Sequence, residues 1–206
     1  MENEIIEIET EDPEAALLEK ASELGLRPEA LEVVGEEEAG RGILGIGKRK
    51  AKLQVRVVPR SEIARNTTSK ILGLMGLAAD IEVVDHEDMT ILNVSGDDLA
   101  IAIGRHGQTL DAIQLVVGII SSRANPNGNR VAVDIEGYRK QRQEDVVAMA
   151  ERAISRVLST GQSYDFRPMS AFDRKTIHTT VASHEGVSSI STGEEPERQV
   201  TIRLAS

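Results

Sequence analysis

Apolar residues recur along this chain at two spacings that alternate, every second residue in short stretches and every third or fourth in longer ones. The first spacing marks strands with one buried face, the second amphipathic helices. Near the start, Asp12 or Thr10 can cap a helix with Pro13 in its first turn, a stripe of Ala16, Leu17, Ala21 and Leu24, and Gly25 as its stop. Leu31–Val34 and Ala51–Val57 alternate as strands. Next comes a helix from about Ile63 to Leu77, carrying Ile71, Leu74 and Met75. Strands at Ile81–Val84 and Met89–Val94 follow, joined by the polar turn Asp85–Asp88. Leu99, Ile101 and Ile103 predict a short helix, and Leu110, Ile113, Val116, Val117 and Ile120 a second one burying that face. Asn125–Asn129 is a loop, and Val131–Ile135 closes this region as a strand. A long helix then runs from about Tyr138 to Leu158, with Val146, Ala150, Ile154, Val157 and Leu158 inward and Arg142, Arg152 and Arg156 on its polar side, ended by Gly161. Ser170 can cap a further helix through Phe172–His178, and Val187–Ile190 with Val200–Leu204 predict a hairpin behind it. The pattern predicts an α+β chain of three small modules: a β-rich module over 1–60, a second over 61–137 and a third over 138–206.

At 206 residues and 40% hydrophobic composition the chain has room for several modest cores. The apolar run Leu115–Ile120 is far too short to span a bilayer, and the acidic start lacks the basic and apolar regions of a signal peptide. Without cysteine there is no disulfide framework and no thiolate metal site, and His86, His106, His178 and His184 show no ligand-like pairing. No metal and no cofactor is expected, and a cytoplasmic location is. The formal net charge of −10 counts against phosphate binding only until its distribution is considered. Most of the excess lies before residue 40, whereas residues 41–60 carry Arg41, Lys48, Arg49, Lys50, Lys52, Arg56 and Arg60 with no acid. A basic site is compatible with such a chain, and the acidic segment suits repulsion of stray polyanions or a protein partner.

Two enzymatic patterns occur in the glycine-rich stretch Gly40–Lys50. Gly40, Gly42 and Gly45 satisfy GxGxxG, but a dinucleotide site needs a helix afterwards, and an alternating basic strand follows. Gly42, Gly47 and Lys48 match most of a P-loop, yet Arg49 stands where a hydroxyl must meet magnesium. A glycine-rich β-connection exposing Ile43, Leu44 and Ile46, suited to docking, fits better. Paired carboxylates, a nucleophilic triad and a metal cluster are likewise missing, so no enzyme is expected.

Ile103-Gly104-Arg105-His106-Gly107-Gln108 places two glycines around two basic side chains at a helix junction. Bare backbone there admits a phosphate closely, and the next helix offers partly positive N–H groups. Farther on, Arg174 and His178 stand four residues apart, hence on one helical face, where both can converge on one phosphate or base edge.

The order helix, strand, strand, helix, GXXG, helix, strand across 61–137 resembles a type II KH domain. Pro168-Met169, Arg174, His178, Gly193-Glu194-Glu195-Pro196 and Arg198 resemble a bacterial R-three-H domain, a binder of single-stranded nucleic acid. A glycine-rich first module followed by these two resembles the Jag family of bacterial RNA-binding proteins over essentially the whole chain. The long charged linker of some relatives is missing. The resemblance implies RNA binding in the cytoplasm, a small KH-only protein as partner or a homodimer, and links to cell elongation, division and envelope synthesis. It also leaves open an adaptor that dimerises through its KH domain and recruits a membrane or cell-wall factor through residues 1–60. The expected RNA contacts are Gly104, Arg105, His106, Gly107 and Gln108 in the loop, then Arg174, Lys175, His178 and Arg198. Aromatic residues make up 2% of the chain, so base stacking is not expected and both phenylalanines, Phe166 and Phe172, are placed in the core.

Overall fold

The computed structural model describes residues 5–39 and 50–205. The glycine-rich connection, with Ile43, Leu44, Ile46 and the two nucleotide-motif readings, lies outside the described residues. Contacts divide the chain into two compact units, one up to Leu99 together with Asp111–Val133, the other Ala100–Leu110 together with the chain from Asp134 on.

In the first unit, β1 (Ile5–Thr10) precedes α1 (Pro13–Glu23), β2 (Leu31–Ala39) and β3 (Lys50–Val57). Asp12 caps α1 by accepting from the Ala15 N–H, and Pro13 opens the helix as expected. The antiparallel sheet runs β1-β3-β2, with Ile6 opposite Val55 and Ile8 opposite Leu53. Leu53, Val55, Ala21 and Ala30 are its buried centre. The strand β1 lies in a stretch to which the sequence pattern assigns no element.

Placing β3 between the acidic outer strands changes the electrostatics of the basic stretch. Lys52 pairs with Glu7 at 2.8 Å. Arg56 makes two 2.8 Å bonds to Glu62 and also pairs with Glu32. The Arg56 guanidinium in turn holds the Glu62 carboxyl below the usual range. Two of the cations clustered in sequence, Lys52 and Arg56, are thus matched by acids on the neighbouring strands, and Arg56 by one on the following helix as well.

The chain continues into α2 (Arg60–Leu74), β4 (Asp80–Asp85) and β5 (Met89–Ser95). The inward stripe of α2 is Ala64, Thr68 and Leu72, whereas Leu74 is exposed. Two hydrogen bonds tie the first module to the segment after it, and a third holds Val58 in place within the module. Arg27 N–H donates to the Ala124 carbonyl, Val58 N–H to the Ala30 carbonyl, and the buried Asn125 side-chain amide to the Val58 carbonyl at 3.0 Å.

Next along the chain are α3 (Ala100–Ile103), a 3-10 turn at Arg105–Gly107, α4 (Gln108–Ala124) and β6 (Arg130–Ile135), which joins the sheet β4-β5-β6. In α4, Leu110, Ile113 and Val117 are buried, but Val116 and Ile120, expected beside them, are exposed together with Leu115 and Ile119. The apolar residues wrap the helix more widely than its buried face extends.

The rest of the second unit is α5 (Tyr138–Thr160), β7 (Tyr164–Asp165), α6 (Ala171–Ala182), β8 (Val187–Thr192) and β9 (Gln199–Leu204), with sheet order β7-β9-β8. Gly161 ends α5 in a left-handed conformation, as its position suggests. Val146, Ala150, Ile154 and Val157 of α5 meet Ile177 and Val181 of α6 and Val200 and Ile202 of β9 in one core. Leu158 is half exposed instead of inward. The short β7, absent from the sequence reading, is too brief to show a period.

Candidate nucleic-acid interface

The GXXG loop is held open by local geometry that only glycine permits. Gly104 has φ +71° and ψ −177°, and a Cβ there would stand 2.1 Å from Thr109 Oγ1. At Gly107, φ is +82° and a Cβ would lie 2.8 Å from the Tyr138 ring, so the loop backbone is packed onto the start of α5. Between them His106 also adopts a left-handed φ of +56°. The outcome is a tight turn in which Gly107 is buried while Arg105, His106 and Gln108 are exposed. All five loop residues singled out from the sequence therefore come together, with the Arg105 and His106 side chains in solvent beside a glycine backbone and the first turn of α4.

The second cluster is built differently. Ser170 caps α6 by accepting from the Asp173 N–H. Four residues on, the Arg174 side chain is only 8% exposed; its guanidinium donates to the Met169 carbonyl at 2.8 Å and to Glu195 Oε1 at 2.5 Å. His178 lies between two hydroxyls of β8, Nδ1 2.7 Å from Ser189 Oγ and Nε2 2.7 Å from Ser191 Oγ. In the neutral ring one nitrogen donates to a serine and the other accepts from its neighbour. Burial, then the Arg174 and Arg198 charges, push the His178 pKa below its ordinary value. A further strap joins the two helices: Arg142 donates to Asp173, 1% exposed, at 2.7 Å. Arg142, placed on the polar side by the sequence, is thus mostly buried.

Arg174 and His178 do share a helical face, but that face is packed against the β8–β9 hairpin. Lys175 and Arg198, the remaining residues singled out, are exposed. So is Phe172, expected in the core with Phe166; the ring is 41% exposed while Phe166 is buried. The difference follows from helix geometry, because Phe172 sits about 200° around α6 from Arg174. Sequence reasoning missed Asp173, Ser189 and Ser191 as partners. The serines, two apart on one strand, share a side of β8, a signal visible only once the strand is matched to α6.

Among the described residues no group of three or more His, Cys, Asp and Glu could hold a metal, and no helix is long and apolar enough to cross a membrane.

Residues 61–135 match the family described as KhpA/KhpB, KH domain, and residues 144–204 match the R-three-H domain family. A Clostridium symbiosum protein named RNA-binding protein KhpB is 33% identical over 171 residues, 82% of this chain and 77% of that protein. The chain belongs to the KhpB family. A Bacillus subtilis (strain 168) protein of the same name is 31% identical over 87% of this chain and 88% of its own length. A Lactiplantibacillus plantarum relative is 28% identical over 63% of this chain but 40% of its own. The GXXG loop lies inside the KhpA/KhpB match, and Arg174, Lys175, His178 and Arg198 lie inside the R-three-H match. Membership in the KhpB family agrees with the Jag resemblance read from the sequence.

Proposed function

We propose that the chain is a non-catalytic cytoplasmic binder of single-stranded RNA, and that the GXXG loop is its primary clamp. The observation that carries this reading is the loop itself: two glycines with positive φ shape a tight turn that presents Arg105, His106 and Gln108 beside the partly exposed Gly104 backbone. Phosphate approaches the Gly104 backbone, Arg105 adds charge, the His106 ring adds a hydrogen-bonding group, and the start of α4 adds N–H groups. The R-three-H region supplies a second contact through Lys175 and Arg198 on its exterior. Arg174 and His178 enter as the residues that set α6 against the hairpin. Both clusters belong to one compact unit, so two weak sites on one strand gain effective concentration. The relatives named RNA-binding protein KhpB support the same reading. The Jag resemblance extends it to control of genes for cell elongation, division and envelope synthesis.

Anisotropy of a labelled single-stranded RNA, titrated across a salt series, tests the proposal. Saturable binding that weakens with salt is expected, and Lys175→Ala should shallow the log-log slope by roughly 0.7, the value of one single-strand phosphate contact. No saturable binding at low salt would remove the reading.

One observation favours a second role, that of a protein adaptor. Leu115, Val116, Ile119 and Ile120 form an exposed apolar stripe on α4. The stripe fits pairing of the KH domain with a second copy or with a small KH-only protein, and residues 1–60 would then recruit an envelope-synthesis or membrane-insertion factor. Light scattering of the chain alone and co-expressed with such a protein tests it: strictly monomeric behaviour in both would end the adaptor reading.

A further inference from the structure

The chain contains four aromatic rings, and three of them are occupied. Phe166 is buried, Tyr164 meets Phe166 edge-on at 4.9 Å with Arg156 5.6 Å over its face, and Tyr138 lies against Gly107. Phe172 enters no ring contact among the described residues and is 41% exposed. Its surroundings are informative. Lys175 and Thr179, three and seven residues on, lie on the same stripe of α6, and both are exposed. Asp173, Arg174, Ile177, Thr180 and Val181 take the opposite stripe and are buried. The ring is also held by a rigid support. Ser170 caps the turn that carries it, Asp173 straps that turn to Arg142, and Arg174 binds Met169 and Glu195.

A flat apolar face in water, fixed on a helix with an ammonium one turn away, matches the chemistry of an unpaired nucleotide. The base has a π-face that gains by covering the ring, and its phosphate gains by meeting the cation. A folded duplex offers no such base, and the apolar area of a single ring is small for anchoring a protein partner.

We propose that Phe172 is a stacking platform for one unpaired nucleobase of single-stranded RNA, with Lys175 taking the adjoining phosphate. This subsite rests on the RNA-binding reading above and adds to it a contact that is hydrophobic and largely insensitive to salt. It also makes α6 two-sided. The arginine and histidine of the R-three-H pattern fasten one side, and the opposite side reads the strand.

The chain has no tryptophan, so Phe172→Trp introduces a single indole at the site. Two signals are then followed in one titration with an unstructured single-stranded RNA: anisotropy of a label on the RNA, which reports binding anywhere, and indole emission, which a stacked base quenches. Quenching that saturates together with anisotropy is expected, as is its absence with a blunt double-stranded RNA. Phe172→Ala and Phe172→Leu should weaken single-strand binding roughly fivefold to a hundredfold, the range for removing a ring from under a base. Phe172→Tyr should stay near wild type. Because the ring is exposed, all four variants should melt with the unaltered chain, and affinity is read per folded molecule. Saturable anisotropy with unchanged emission and unchanged Phe172→Ala affinity would overturn the platform while leaving RNA binding in place. No binding by the unaltered chain would overturn both.

Discussion

The GXXG loop and helix α6 each carry an arginine and a histidine, and the two pairs are employed in opposite ways. Arg105 and His106 stand in solvent on a turn shaped by two glycines of positive φ. Arg174 and His178 are absorbed into hydrogen bonds with Met169, Glu195, Ser189 and Ser191. Identical residue types at two binding motifs thus divide into presented and fastened groups. Neighbours decide which is which: the loop is short and convex, while α6 has a hairpin against one side.

The largest effect that can test this contrast comes from the strap beneath α6. Arg142→Ala leaves the Asp173 carboxylate buried without its partner and should cost about 3 kcal/mol or more, read as a lower denaturation midpoint. Arg174→Ala should come next, at about 2 kcal/mol, because a charged donor to two acceptors is lost while Glu195 can still reach water. Affinity per folded molecule should change little. If Arg174→Ala instead leaves stability unchanged and lowers affinity and salt slope, the contrast fails and Arg174 joins the presented group. Replacing Arg105 and His106 together with Asp should do the reverse: melting as before, and RNA affinity weaker by roughly tenfold or more, about 1.4 kcal/mol. A fall in melting temperature with affinity intact would mean that the loop is structural.

The smallest effect concerns pH. With its folded pKa below the ordinary 6.5, His178 binds a proton more readily in the unfolded chain. Its contribution to stability is therefore full above about 6.5 and is lost as pH falls from there through the folded value. Urea midpoints of the unaltered chain and of His178→Gln should converge on acidification across that window. Divergence would mean that the ring is stabilised as a cation, and so free to meet phosphate.

Much of this was legible in the sequence. The periods locate most helices and strands, Asp12 and Ser170 cap as their positions suggest, and both RNA motifs appear as spacings. What was not legible depends on partners distant along the chain. Lys52 and Arg56 of the basic stretch look available until β3 is placed between β1 and β2, where they meet Glu7 and Glu32. Arg142 looks solvated until α6 brings Asp173 beneath it. Phe172 looks like core because an aromatic residue in a short helix usually is, and only the position of Arg174 around α6 decides which way the ring faces. Val116 and Ile120 fail similarly, since helical spacing shows that residues share a face but not how far its buried part extends.

The hydrogen bonds converging on Val58 bear on how this chain can be dissected. A fragment beginning at the first residue of the KhpA/KhpB match would discard the Val58 carbonyl that receives the buried Asn125 amide, and the Arg27 N–H that serves Ala124. Both orphaned groups sit at the end of α4 and in the loop leading to β6. The cut that homology recommends would therefore fray the scaffold from its rear, and a weak RNA signal from such a fragment would report the damage and not the loop. Starting at Arg27 instead would keep Val58 paired with Ala30 and Asn125 and the Arg27 N–H on Ala124, at the cost of losing α1 and the edge strand β1.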